Sequence, residues 1–191
     1  YQAGRGERWE HVPGRPDFIS HADPSFGQGT VYTSSCPVMV GDEQWLYFTA
    51  YARIHGWYIH KDKEIADKRM QTVIDEGLSR FGVARWPKWR LFGFRSDPKG
   101  SLTLELGGIR EPCRLLLNYE CEQGGSVRIS LEDVPGRAEE NSIPLTGSSF
   151  DAAATWSDGD VLAPRPEGHS IKAKMHMDRA RVYAYQILPA R

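Results

Sequence analysis

Cysteine is scarce in this chain: Cys36, Cys113 and Cys121 stand at irregular spacings among 191 residues. That is too few for a disulfide framework, and the paired spacing of a zinc site is missing. The three read as buried free thiols, with one disulfide, Cys113 to Cys121, left open. An excess of charge of either sign is also absent, since 24 Lys+Arg face 25 Asp+Glu for a formal net charge of -1 and a pI near 6.7. This balance leaves no electrostatic footprint for nucleic acid or for an anionic membrane surface. No apolar run approaches the roughly 18 to 20 residues of a membrane-spanning helix. The N-terminus "YQAGRGERWE" has neither a signal-peptide pattern nor a starting Met, so the chain is expected to be a piece of a longer one.

Familiar catalytic motifs are missing as well. There is no G-x-S-x-G, no H-E-x-x-H and no C-x-x-C, and "HADPSFGQG", with Asp23, lacks the Lys and Ser/Thr of a phosphate loop. His11, His21, His55, His60, His169 and His176 show no metal-ligand spacing. Neither a cofactor nor a metal is expected, and the sequence offers no support for nucleophilic-serine or zinc chemistry.

What is present is turn punctuation, 19 Gly and 12 Pro, between runs in which apolar and polar residues alternate. Alternation with period 2 is the pattern of half-buried strands, so the chain is expected to be mostly β. In the first block, Pro37 to Val40 and Gln44 to Tyr51 flank Gly41-Asp42-Glu43, a hairpin turn. The one convincing helix is "DKEIADKRMQTVIDEG", where Asp62 can cap, Ile65, Met70, Val73 and Ile74 approximate a stripe, and Gly77 can stop it. Beyond residue 82, eight short strand-like runs with regular turn signals argue for a two-sheet sandwich or jelly roll. The expected organisation is therefore 1–60, 61–80 as a helical connector or insertion, and 81–191 as the sandwich.

One stretch in the sandwich, "LLLNYECEQGGSVRISLED", carries the Glu-Cys dipeptide that holds the general acid in sucrose- and fructan-cleaving glycosidases. Its apolar sets, Leu115, Leu117, Tyr119 and Cys121, then Val127, Ile129 and Leu131, must share one face. A hairpin around Gln123-Gly124-Gly125 meets that condition and sets Glu120 across from Arg128 on the polar face. On this reading Glu120 is a surface ion-pair residue and not a catalytic acid.

The order of segments resembles a known family. "GERWEHVPGRPDFI" is similar to a strand of glycosidase-like five-bladed β-propellers, and "GTVYTSSCPVMVGDEQWLYFTAYARIHG" to their last blade. "FGVARWPKWRLFGF" resembles the strand that leaves the propeller, and "GSLTLEL", the "LLLNYECEQGGSVRISLED" stretch and "RARVYAYQI" resemble strands of the sandwich that follows. The group is that of bacterial proteins related to the glycoside hydrolase family 32 N-terminal domain. The resemblance implies a propeller end before a jelly-roll-like antiparallel β-sandwich, and carbohydrate as the partner. It implies glycosidic-bond hydrolysis by paired carboxylates that lie mostly outside this chain, contributed by the remainder of the propeller from an upstream segment or a partner chain. A secreted or periplasmic setting fits that role better than the cytoplasm. The sequence departs from the pattern in "FGQGTVY", where Gly27 replaces an expected aspartate.

Within this frame the candidate catalytic residues are Glu43, at a hairpin, and His55, in "ARIHG" where the last blade returns toward the axis. Tyr32, Tyr51, Trp86 and Trp89 are the candidates for substrate binding, because aromatic faces match the apolar faces of pyranoses. Trp86 and Trp89, flanking Pro87, read either as a domain-interface plug or as a sugar platform. Two further readings stand beside hydrolysis: a non-catalytic carbohydrate-binding sandwich, and a structural subunit whose open blade edge a partner chain completes.

Overall fold

A computed structural model of the chain describes residues 2–3, 8–9, 14–19, 29–77, 79–165 and 170–190. Gly27, Asp23, His11, His21 and His169 lie outside these described residues. The protein is mostly β, built from antiparallel sheets with one α-helix among the described residues. It divides into two compact units, 1–85 and 86–191.

In the first unit, β1 (Gln2–Ala3) pairs with β2 (Arg8–Trp9). A second sheet joins β3 (Thr30–Thr33) and β4 (Val38–Val40) to β5 (Glu43–Tyr51), β3 along the C-terminal part of β5 and β4 along its start. Val40 faces Glu43, so the hairpin loop is two residues and not three. Gly41, at φ 60, takes the first central position, where a II′ turn calls for glycine. β5 alternates as its sequence requires, with Gln44, Leu46, Phe48 and Ala50 buried. The helix α1 (Lys63–Asp75) begins where expected, Asp62 accepting from the Glu64 and Ile65 amides at 2.9 and 3.3 Å, and Gly77 follows its end at φ 56. Its apolar stripe is open: Ile65, Met70 and Ile74 are exposed. β6 (Ser79–Pro87) then pairs with β5, and the boundary between the units falls inside β6.

The second unit is one six-stranded sheet that curls into a half-barrel, a sandwich-like arrangement around a single core. After β7 (Phe94–Arg95) and β8 (Lys99–Glu105), two very long strands dominate, β9 (Cys113–Leu131) and β12 (Lys172–Pro189), with β10 (Ser148–Ala153) and β11 (Val161–Leu162) flanking β9. Four expected runs merge here into two strands. One of the eight strand-like runs expected from the sequence, 141–145, is instead the end of a 3₁₀ turn, Glu139–Asn141, followed by isolated bridges of Ser142 with Trp156 and of Leu145 with Val127.

The expected hairpin at Gln123-Gly124-Gly125 does not form, and Glu120 does not face Arg128. Both halves of β9 pair with β12, and the segment between them is a bulge: Cys121 faces Ala180, Ser126 faces Asp178, and residues 122–125 oppose Arg179 alone. Residues 121 and 127 are six steps apart, so a continuous strand keeps the apolar set on one face as well as a hairpin does; alternation alone does not choose. Close packing explains the two glycines. Gly124 has φ 72, and a Cβ on Gly125 would stand 2.5 Å from the carbonyl oxygen of Arg179 and 2.7 Å from that of Asp178. Arg179, itself at φ 45, donates from Nη2 to the Gly124 carbonyl at 2.7 Å. Across the bulge the buried set of β12 changes parity, from Ala173, Met175 and Met177 to Ala180 and Val182. That change lets one ribbon keep its apolar face inward through the bend.

Eighteen buried hydrophobic residues form this core, all of them beyond Arg85. Trp156, 1% exposed, is its largest member and donates Nε1–H to the Ile129 carbonyl at 2.9 Å. The guanidinium of Arg137 lies 4.9 Å over the Trp156 ring, pairs with Asp158 and donates to the Val161 carbonyl. Cys113 and Cys121 are free, and eight residues apart on one extended strand they stand about 26 Å from each other, so the disulfide left open by the sequence cannot close. Burial pushes both thiols and the Tyr119 hydroxyl upward, which marks the thiols as packing groups. Cys36, by contrast, is exposed and not the buried thiol expected.

Candidate functional site

Three of the residues singled out in the sequence meet at one place in the first unit. β3 carries Tyr32, the end of β5 carries Tyr51, and the loop after β5 carries His55, and together they line a cleft of about 300 Å³ with Arg53, Trp57 and Tyr58. That volume is at the small end of ligand sites. The ring of Tyr32 meets Tyr51 edge-on at 5.8 Å and His55 at 5.9 Å, and its hydroxyl hydrogen-bonds to His55 Nδ1. Two short turns fold the loop: the Trp57 amide donates to the Ile54 carbonyl at 3.1 Å, and Ile59 to Gly56, whose φ is 72. The start of β3 can lie against this loop only because residue 29 is glycine, since a Cβ there would overlap the Arg53 backbone.

Electrostatically the cleft is one-sided. Arg53 and Arg69 place their guanidinium groups 4.9 and 5.3 Å from the Trp57 ring, and Arg69 Nη1 donates to the Trp57 carbonyl at 2.8 Å. Arg53 also lies 3.8 Å from Glu76 of the turn after α1. No aspartate or glutamate is among the described residues that line the cleft. The arrangement can stack and hydrogen-bond a ligand, and it offers positive charge. Among the described residues it has no carboxylate in its lining for proton transfer.

Glu43 sits elsewhere. It begins β5, eight residues from Tyr51 and so about 26 Å away along the strand, and accepts Nε1–H of Trp45 at 2.8 Å with Arg85 at 3.9 Å. Those contacts describe a local clasp on the indole, which Arg85 also covers at 5.5 Å.

Trp86 and Trp89 are divided by their backbone. Trp86, half-buried, belongs to β6, whereas Trp89 follows it with φ 59 and is 55% exposed. The Arg90 amide donates to the Pro87 carbonyl at 2.9 Å, which makes Trp89 the third residue of a tight turn, a position that favours glycine when φ is positive. In this conformation Trp89 borders a second recess, about 420 Å³, on the outward face of the curled sheet with Asn118, Phe150, Asp151 and Tyr185. Asn118 is held in place: it accepts from Arg90 Nε at 2.8 Å and donates to the Lys88 carbonyl at 2.8 Å.

Arg90 anchors this region. Its Nη2 donates at 3.0 Å to the Tyr119 and Ser149 carbonyls and to Ser148 Oγ, and its guanidinium lies 4.4 Å from the Phe150 ring. Glu120 is part of the same cluster, 3.4 Å from Arg90 and 3.3 Å from Arg181. Burial, followed by a hydrogen bond with Glu120, pushes the Tyr183 hydroxyl upward. The residues that the sequence did not single out, Trp57, Tyr58, Asn118, Phe150, Asp151 and Tyr185, carry at most one local signal, the aromatic pair in "HGWYIH" beside a turn glycine. The chain matches no protein-family model, no curated protein and no solved structure.

Proposed function

We propose that this chain is the carbohydrate-engaging C-terminal portion of a glycoside-hydrolase-like protein. The observation that carries the proposal is the convergence of Tyr32, Tyr51, Trp57 and Tyr58 on one cleft in the first unit. Aromatic rings stack on the apolar face of a sugar, and the Tyr32–His55 pair and Arg53 give polar groups for its hydroxyls. With Arg53 in the lining and no carboxylate among its described residues, the cleft favours a neutral or acidic saccharide over an amino sugar. The hairpin β4–β5 with β6 beside it suits the last blade of a propeller, and the curled sheet suits the jelly-roll-like sandwich that follows one. Hydrolysis by paired carboxylates would then draw on groups outside the cleft lining, upstream in a longer protein or on a partner chain. The test is calorimetric titration of the chain with neutral, uronate-containing and amino oligosaccharides. Affinity for the first two, lowered about tenfold by Trp57→Ala or Tyr32→Ala, is expected; preference for the amino sugars would overturn the reading.

A second reading, a non-catalytic carbohydrate-binding sandwich, draws on the recess beside Trp89. An exposed indole held at positive φ, next to Phe150, Tyr185 and a fixed Asn118, is what a sugar platform needs. Binding by residues 86–191 alone, lost in Trp89→Gly, would favour it over the cleft.

A further inference from the structure

We propose that Ser130, His176 and Glu139 form a serine-nucleophile relay able to cleave an exposed acyl ester. Ser130 on β9 alternates with the core residues Ile129 and Leu131, and His176 on β12 with Met175 and Met177, so both stand on the outward face of the sheet. The register puts Arg128 opposite His176 and Lys174 opposite Ser130, which makes Ser130 and His176 diagonal neighbours. Ser130 Oγ is 2.8 Å from His176 Nε2. The other ring nitrogen, Nδ1, is 3.0 Å from Oε2 of Glu139, delivered by the 3₁₀ turn. Nucleophile, base and orienting carboxylate thus follow one another in the order that acyl transfer requires, through opposite nitrogens of one imidazole that is 23% exposed.

The roles follow from this geometry. Glu139 favours the tautomer with its proton on Nδ1, which leaves Nε2 free to accept the Ser130 proton. Ser130 Oγ adds to the ester carbonyl while that proton passes to Nε2, and Lys174, the residue directly opposite Ser130 in the register, is the lysine on that face that could answer the developing oxyanion. Collapse breaks the acyl C–O bond, and the departing alkoxide takes the proton from Nε2. Water, deprotonated by His176, then hydrolyses the acyl-serine and restores the relay. The substrate class is an ester displayed on a larger molecule, because Ser130 and His176 lie half-buried on the outward face of the sheet and no described cavity is lined by them. Sugar recognition in the cleft is not needed for this inference.

The test is labelling of the full 191-residue chain with a fluorophosphonate probe, in which a Ser Oγ–P bond forms, fluoride leaves and the serine proton goes to His176. One adduct per chain, mapped to the peptide containing Ser130, is expected. Ser130→Ala should abolish it, His176→Ala should slow labelling at least about a hundredfold, and Glu139→Gln about tenfold. Circular dichroism checks each fold, and His176→Gln serves where the alanine variant does not fold. A folded wild-type chain that takes no adduct, an adduct on another residue, or labelling undiminished in the folded His176 variant would overturn the proposal.

Discussion

The two units differ in what their strands bury. Among the described residues the first unit buries three apolar side chains, Leu46, Phe48 and Ala50, while Tyr32, Tyr58, Ile54 and the stripe of α1 stay exposed. The second unit closes eighteen buried hydrophobic residues inside one curled sheet. Burial of apolar surface is the main favourable term in folding, so one unit has the means to hold itself together and the other leaves its aromatics available. The molecule thus separates a scaffold rich in packing from a cleft rich in exposed rings.

The most severe way to test this contrast is to cut at the boundary. Residues 86–191 alone should unfold cooperatively in urea, and residues 1–85 alone should show no cooperative transition; the reverse result would end the comparison. Within the second unit Trp156→Ala should cost about 3 to 5 kcal/mol, because it empties the largest buried site and leaves the Ile129 carbonyl unpaired. Arg90→Ala should cost about 3 kcal/mol in the same urea titration, since it removes the guanidinium that donates to Asn118 Oδ1 and to the Tyr119 and Ser149 carbonyls and leaves Glu120 with Arg181 alone.

Smaller effects sharpen the contrast. Trp89→Gly relieves a positive φ, so the melting temperature of 86–191 should not fall even if glycan binding at the recess disappears. Raising pH should weaken the second unit. Cys113, Cys121 and Tyr119 all have folded values above their ordinary 9.0, 9.0 and 10.0. The unfolded chain therefore releases these protons first, and stability present below pH 9 declines as pH rises above it. Stability measured against pH in Cys113→Ala/Cys121→Ala should show a shallower alkaline decline. Ile74→Ser, on the open face of α1, should change stability by less than about 0.5 kcal/mol.

How much of this could be read beforehand depended on range. The α1 cap at Asp62 and the stop at Gly77 rest on contacts within four residues, and the sequence placed both. The alternation of β5 and of both halves of β9 was equally plain. Alternation puts Glu120 on the polar face and in an ion pair, but not with Arg128. Its partners, Arg90 and Arg181, are 30 and 61 residues away, and no local pattern encodes that reach. The sequence offers Tyr32, Tyr51 and His55 only as separate candidates, and their meeting in one cleft comes from the pairing of β3 with the end of β5; Glu43 lies at the other end of β5.

The amino-acid order by itself determined which faces are apolar, where the helix starts and stops, and that the chain is mostly β, because these follow from side-chain period and from hydrogen bonds to near neighbours. It did not determine which strand each face meets. A turn and a bulge at Gln123-Gly124-Gly125 satisfy the same alternation, and only β12, supplying partners to both halves of β9, decided between them. The same long-range pairing set Ser130 beside His176, residues that are 46 apart in the chain and belong to no recognisable motif. Periodicity constrains the face a residue occupies, and pairing constrains its neighbours; chemistry at a site needs both.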